Sequence, residues 1–181
     1  MEVDRIVRGP RWIHWEKPPP GMFILNTNGA FKSRLGVAFA GGLIHNDDVG
    51  WIVGFLLNIG CADSVQAELW GTHKGQMLAK RLNIRTLIVE VDAMVVVCWL
   101  QRPYMADHYF YNILQDSWNL IAEGWVLEIC HRHRERNSCA DHLANLAQSR
   151  EPRLEVLEEP PASSIPLLQV DACGKGFLRL H

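Results

Sequence analysis

Residues 25–30 of the chain read Leu25-Asn26-Thr27-Asn28-Gly29-Ala30 and place an amide where an apolar, extended run ends. The run starts at Met22, and an apolar run of this length before a glycine predicts a first β-strand. Asn28 therefore stands at the end of the predicted strand, where side chains from neighbouring elements can converge.

Three later segments present a carboxylate in a similar way. They are QAELWG around Glu68, LIVEVDA around Asp92 and NSCADHLA around Asp141. Mg²⁺ prefers hard oxygen ligands and keeps several waters, so a few carboxylates held by strand ends and a facing helix can bind it. Together with the Asn28 amide, these carboxylates predict a dispersed divalent-metal site.

The composition is that of an ordinary soluble protein. The 181 residues are 48% hydrophobic and 21% charged, with a net charge of −2. This length favours one domain with a sizeable core. The nearly neutral charge means that nucleic-acid binding must come from a local basic patch. Five cysteines without a CxxC pair argue against a disulfide framework or a zinc knuckle.

The amino terminus and the apolar runs bear on localisation. The opening residues, MEVDRIVRGPRW, carry charges where a signal peptide needs an apolar core. No run approaches the roughly 18 apolar residues of a membrane span. We therefore expect an intracellular protein, nuclear or cytoplasmic, with no membrane partner.

The pattern along the chain predicts a leader over residues 1–21, a folded domain over 22–150 and a flexible, proline-containing tail over 151–181, with a piece at 167–170 that could dock. Within the domain, the order βββαβααβα predicts three antiparallel strands followed by parallel strands with crossover helices. The predicted strands are Met22–Thr27, Val37–Ile44, Trp51–Ile59, Thr86–Val91 and Trp125–Cys130. The predicted helices run from Ser64, as N-cap, to about Leu82, and over Val95–Leu100, Tyr109–Glu123 and Asn137–Ser149.

Five motifs in this order resemble those of the ribonuclease H family, most closely its plant-type, retroelement-derived domains associated with reverse transcriptases. They are WEKPPPG at 15–21, LNTNGA at 25–30, AELW at 67–70, VEVD at 89–92 and HRHRERNSCADHLA at 131–144. The resemblance implies the ribonuclease H-like α/β fold, with a five-stranded mixed sheet flanked by helices. It also implies an RNA–DNA hybrid ribonuclease, a metal-dependent endonuclease that hydrolyses the RNA strand.

The resemblance further implies roles for single residues. Glu68, Asp92 and Asp141 match the family's catalytic metal ligands, which hold Mg²⁺ or Mn²⁺ in a two-metal site. His131 matches a mobile histidine that shuttles protons or helps to release product. Asn28 stands where the family has the aspartate that bridges both metals.

Asn28 limits the activity that we expect. Its carbonyl offers one neutral oxygen, while its NH₂ group is a donor and repels a metal. We therefore expect a compromised two-metal site and impaired hydrolysis. The alternative is a non-catalytic nucleic-acid-binding or interaction module derived from a retroelement ribonuclease H. A remnant with neither function is a third possibility.

Nucleic-acid contacts are predicted at two places. Ser64 lies where relatives place a small polar residue that faces the hybrid. The basic residues Arg132, Arg134 and Arg136 could bind phosphates, although a solvated loop explains them equally well. The basic protrusion of some relatives is missing, since residues 93–124 contain Arg102 as their only arginine and no lysine. We expect a monomer whose partner is an RNA–DNA hybrid or another nucleic acid.

Each candidate also has a purely structural explanation. Glu68 could be a solvated helix residue and Asp92 a helix N-cap. Asp141 could end a capping box that begins at Ser138, and His131 could cover a sheet edge. Their joint occurrence at matching positions favours a site.

Overall fold

The computed structural model describes residues 11–13, 18–103, 108–172 and 177–179, so most of the predicted leader, including Trp15, lies outside the described residues. The described strands are β1 (Arg11–Ile13), β2 (Phe23–Lys32), β3 (Val37–Asn46), β4 (Trp51–Cys61), β5 (Leu87–Val91), β6 (Val126–His131), β7 (Leu154–Leu157) and β8 (Phe177–Arg179). The described α-helices are α1 (Ser64–Arg81), α2 (Met94–Leu100), α3 (Tyr111–Ala122), α4 (Ser138–Leu146) and α5 (Ile165–Ala172).

One mixed sheet organises the fold, with its strands in the order β6-β5-β2-β3-β4-β7. Strands β2, β3 and β4 are antiparallel, β5 is parallel to β2, and β6 is parallel to β5. This confirms the predicted mixed α/β architecture of three antiparallel strands followed by parallel ones. Strands β1 and β8 form a separate antiparallel pair.

The sheet has six strands, and the prediction of five was wrong. The sixth strand, β7, lies in the segment that the sequence assigned to a flexible tail, and it pairs with residues 54–57 of β4. Four residues between prolines show too little periodicity to be recognised as a strand. They form one because the backbone groups of β4 are available there for pairing. In α5, Leu167 and Leu168 pack against the core beneath α4, where docking was expected. The boundaries of leader, domain and tail remain a prediction.

Helices cover both faces of the sheet because side chains alternate along each strand. On β3, Ala40 and Ile44 join the core cluster that contains Leu69 of α1 and Leu114 of α3. Phe39 and Leu43 point the other way, into a cluster with Leu143 of α4. Among the described helices, none is both long and apolar enough to cross a membrane.

The start of α1 differs from the prediction by one residue. Asp63, and not Ser64, is the N-cap: its Oδ1 accepts from the Gln66 amide at 2.7 Å, and Gln66 Oε1 accepts from the Asp63 amide at 2.9 Å. This reciprocal pair is a capping box. Ser64 becomes the first helical residue, because Asp63 has a partner at the required spacing of three.

Two glycines let the helices approach the central strands. A Cβ on Gly29 would lie 2.8 Å from both Ala67 Cβ and Glu68 N. A Cβ on Gly41 would collide with the backbone of α4 at Leu143 and Ala144. Both α1 and α4 therefore pack against the strand pair next to Asn28.

Candidate functional site

The four predicted positions come together where β2 loses its parallel neighbour. The last parallel pair of β2 and β5 joins Thr27 to Val91, so Asn28 and Asp92 each follow directly after it. The predicted end of the first strand at Thr27 was wrong, since Asn28 is still paired with Gly41 of β3. Helix α1 brings Glu68 to this point from one face of the sheet, and α4 brings Asp141 from the other.

Asn28 is almost fully buried, with 2% of its surface exposed. Its Nδ2 donates to Asp141 Oδ1 at 2.7 Å. An ionised carboxylate only accepts hydrogen bonds, so the amide must turn its NH₂ group to Asp141. A donor therefore faces Asp141 from the position where the family has an acidic metal bridge.

Asp141 receives further donors from the protein. Arg134 Nη2 donates to the same Oδ1 at 2.9 Å. Asn145 Nδ2 donates to Oδ2 at 3.3 Å and to the Asp141 carbonyl at 2.9 Å. Both carboxylate oxygens thus accept from neighbouring side chains, and Oδ1 accepts from two. The pKa of the Arg134 guanidinium is raised, first by its bond to Asp141 and then by the charges of the three carboxylates.

Glu68 and Asp92 lie side by side as a hydrogen-bonded carboxyl pair, in which Glu68 donates when it is protonated and Asp92 accepts. Burial, and then the charge of Asp92, raises the pKa of Glu68 to about 8. Burial is also the main reason why the pKa of Asp92 is raised. Among the described residues, buried Glu68 Oε2 has no hydrogen-bond partner. Two carboxyl groups that share a partly desolvated place favour a proton or a nearby cation.

His131 ends β6 beside Asp92. Its Nε2 lies 2.9 Å from the Asp92 carbonyl oxygen, which can only accept, so Nε2 carries the proton. The His133 ring packs edge-on against the His131 ring at 5.3 Å. This bond holds the imidazole at the site, while the role of a mobile histidine remains a prediction.

The helix-capping alternatives for the carboxylates were wrong. The N-cap of α2 is Ala93, which provides no side-chain cap, so Asp92 does not cap the helix. The N-cap of α4 is Asn137, also without a side-chain cap, and Asp141 lies within the helix. Glu68 is half-buried, which removes the explanation of a solvated helix residue.

The predicted phosphate-binding arginines lie in different environments. Arg132 Nε donates to Glu90 Oε1 at 2.7 Å in a partly buried ion pair. The Nε and Nη2 atoms of Arg136 are buried. The Arg134 side chain is 72% exposed and lies at the acidic cluster. Ser64 is exposed at the start of α1.

A neighbouring polar network was missed by sequence reasoning. Asn26 Nδ2 donates to Glu90 Oε2 at 2.7 Å, and Asn26 Oδ1 lies 3.0 Å from Nε2 of buried His45. Asn26 precedes Asn28 by two residues and shares its sheet face, and Glu90 precedes Asp92 by two. This spacing of two residues, which places both members of each pair on one face of a strand, was the sequence signal for the network. The network orients Arg132 towards Glu90.

The described residues do not fit the two-metal centre that the resemblance implies. Among them, no group of three or more His, Cys, Asp or Glu side chains is arranged to hold a metal ion. In addition, Asn28 and Arg134 both direct N–H groups at Asp141 Oδ1, an oxygen that a metal would need as a ligand. In the Glu68–Asp92 pair, Glu68 accepts a backbone hydrogen bond from Gly29, and the two carboxyl groups share a hydrogen bond.

Solved structures share the fold. The ribonuclease H1 of Halobacterium salinarum is 22% identical, with a TM-score of 0.61 over 70% of this chain and 97% of that one. The N-terminal ribonuclease H domain of Rv2228c from Mycobacterium tuberculosis is 23% identical, with a TM-score of 0.62 over 70% and 92%. LC11-RNase H1, solved in complex with an RNA/DNA hybrid, is 20% identical, with a TM-score of 0.62 over 69% and 95%. At these identities the likeness establishes the fold.

Sequence similarity identifies the family of the chain. An Arabidopsis thaliana protein named "Putative ribonuclease H protein At1g65750" is 33% identical over 167 residues, or 92% of this chain. The chain spans 27% of that relative's length. A family model described as "Reverse transcriptase-like" matches residues 26–147, which include all four site positions. The chain therefore belongs to the reverse transcriptase-like family, and its domain has the ribonuclease H fold.

Proposed function

We propose that this chain is a ribonuclease H-type domain that recognises RNA–DNA hybrids and whose metal-dependent cleavage of the RNA strand is strongly impaired. The observation that carries the proposal is the 2.7 Å bond from Asn28 Nδ2 to Asp141 Oδ1. It places a donor, and one negative charge fewer, where hydrolysis in this family needs an anionic ligand for metal. Any Mg²⁺ or Mn²⁺ would have the Glu68–Asp92 pair as its main ligands.

Hybrid recognition is supported by the family and by the exposed groups at the site. Proteins recognise hybrids through backbone shape and the 2′-hydroxyls of the RNA strand, which need polar and basic contacts more than base readout. Ser64 and most of the Arg134 side chain are exposed. LC11-RNase H1, which has a similar fold, is known in complex with such a hybrid. Retroelement origin, a monomeric state and a nuclear or cytoplasmic location belong to the same proposal.

The alternative is a module that binds nucleic acid without cutting it. It is favoured by Asp141, whose two oxygens both accept from protein donors, so that one predicted metal ligand is already engaged. The two functions share the binding step and differ in hydrolysis. A single assay can therefore separate them.

The test measures binding and cleavage of a labelled RNA–DNA hybrid in Mg²⁺ and in Mn²⁺. We compare the native chain with Asn28→Asp and with Asn112→Asp, a control that adds the same charge at an exposed position of α3. We expect all three to bind hybrid, and Asn28→Asp to cut at least ~10-fold faster than the native chain, about 1.4 kcal/mol in barrier. The control should behave like the native chain.

Two results would contradict the proposal. If the native chain cuts as fast as Asn28→Asp, hydrolysis is not impaired by the amide. If the native chain does not bind hybrid in either metal, the substrate is wrong. Binding by all variants without cleavage by any would select the non-catalytic module.

A further inference from the structure

The acidic cluster formed by Glu68, Asp92 and Asp141 is in contact with a positively charged side chain of the same protein, Arg134. Arg134 Nη2 lies 2.9 Å from Asp141 Oδ1, and the Arg134 charge also acts on Glu68 and Asp92. Glu68 and Asp92 share a hydrogen bond, and the negative charge that remains in the cluster is costly where water is partly excluded. The guanidinium supplies positive charge where a divalent ion would otherwise be needed.

The lone pairs of Asp141 show why this cation and a metal compete. Oδ1 accepts from Asn28 Nδ2 at 2.7 Å and from Arg134 Nη2 at 2.9 Å. A metal that used this oxygen would have to displace the guanidinium or stand beside its charge. Like charges at such a separation repel each other, even at the higher effective dielectric of a protein surface.

The backbone keeps Arg134 next to Asp141. Arg134 begins a 3-10 turn that ends at Arg136, and the following residue, Asn137, donates from Nδ2 to the Thr27 carbonyl at 2.7 Å. That buried bond attaches the turn to β2, one residue before Asn28. The Asn137 carbonyl accepts from the Asp141 amide at 3.0 Å as α4 begins. The loop and the helix are therefore anchored to the same strand.

We propose that Arg134 is the resident cation of this acidic cluster and lowers its affinity for divalent metal. In this role Arg134 compensates charge at the site, and its exposed part remains free to meet a phosphate. The inference rests on the proposed function only in taking the three carboxylates as the matched metal ligands. Because 72% of the Arg134 side chain is exposed, its substitution should leave the core packing intact.

The test titrates Mn²⁺ into the full chain without nucleic acid and follows free Mn²⁺ by electron paramagnetic resonance. Arg134→Gln should bind Mn²⁺ at least ~10-fold more tightly than the native chain, about 1.4 kcal/mol. Arg134→Lys should stay near the native affinity, because it keeps the charge. Arg153→Gln is the matched control at an exposed arginine before β7, and it should not change the affinity.

A second readout is thermal unfolding in EDTA and in Mn²⁺. Arg134→Gln should melt below the native chain in EDTA and recover in Mn²⁺, since an ion that binds only the folded state stabilises it. At the same Mn²⁺ concentration, the native melting temperature should rise less than that of Arg134→Gln. If Arg134→Gln is unfolded in EDTA, Mn²⁺ should restore its circular dichroism.

Three outcomes would overturn the inference. They are a Mn²⁺ affinity of Arg134→Gln within about twofold of the native value, an Arg134→Lys variant that gains as much affinity as Arg134→Gln, and an unfolded Arg134→Gln that Mn²⁺ does not restore. Since no nucleic acid is present, a native chain that fails to bind hybrid would overturn the proposed function and leave this inference standing.

Discussion

At the scale of single residues, one change of atom type sets the chemistry of the site. Asn28 differs from aspartate by an NH₂ group in place of an oxygen, yet this turns an acceptor into a donor. The donor bonds to Asp141, and Arg134 shares the same oxygen. Glu68 and Asp92 remain beside each other, and the pKa of both carboxyl groups is raised, mainly by burial.

The Glu68 carboxyl predicts how stability depends on pH. Its pKa rises from 4.5 in the unfolded chain to about 8 in the folded one, so the folded state binds more protons between these values. Its contribution to the free energy of unfolding is therefore largest below about pH 4.5 and is lost as pH rises through about 8. We expect Glu68→Gln to match the native chain near pH 4.5 and to be more stable near pH 8.5, by on the order of 2 kcal/mol.

Urea unfolding of both chains at the two pH values measures this difference. Glu128→Gln, at an exposed position of β6, is the control and should show the same pH dependence as the native chain. A constant difference between Glu68→Gln and the native chain at both pH values would show that Glu68 ionises normally.

At the scale of elements, α1 contains a polar side chain that its packing does not accommodate. Gln76 has no exposed surface, and among the described residues neither its Oε1 nor its Nε2 has a hydrogen-bond partner. The same helix carries Glu68 on its face towards the site and has a complete capping box at its start. The capping box therefore satisfies hydrogen-bonding groups at the start of α1, while the buried amide of Gln76 in the middle of the helix has no partner among the described residues.

Replacing Gln76 should stabilise the protein. A buried amide without partners costs about 1–3 kcal/mol. Gln76→Met keeps the shape of the side chain and removes both polar atoms, so we expect a gain of about 1–2 kcal/mol in the free energy of unfolding. Gln148→Met, which loses the exposed bond to Asn145, is the control and should gain nothing. A loss of stability in Gln76→Met would mean that the amide is hydrogen-bonded in solution, through a buried water for example.

At the scale of the whole molecule, the sixth strand covers part of the long strand β4 and leaves the four-residue β7 as the edge of the sheet. Strand β7 pairs with β4, and Asn58 Nδ2 donates to the Arg150 carbonyl at 2.6 Å just before it. Without β7, residues 54–57 of β4 would present unpaired backbone groups at an edge, where strands of other molecules can pair. The chain after Arg150 is thus part of the fold at this edge.

A chain ending at Arg150 should therefore be less stable and more prone to aggregation than the full chain. We expect a loss of about 2 kcal/mol or more in the free energy of unfolding, and aggregates in size-exclusion chromatography. Val156→Thr in the full chain is the control, because this side chain is exposed and threonine is equally suited to a strand. Equal stability of the shortened and full chains would show that β7 contributes nothing.

The sequence by itself determined the α/β class, the order of the elements from β2 to α4, and which four positions to expect at the end of β2. These follow from local information: apolar periodicity, strand-end motifs and the residue types that stand beside them. The tertiary structure alone decided that β7 joins the sheet, because its partner edge on β4 lies about a hundred residues earlier in the chain. It also decided that Asn28 and Arg134 meet on one oxygen of Asp141, because a hydrogen-bond partner is chosen by approach in space and not by spacing along the chain.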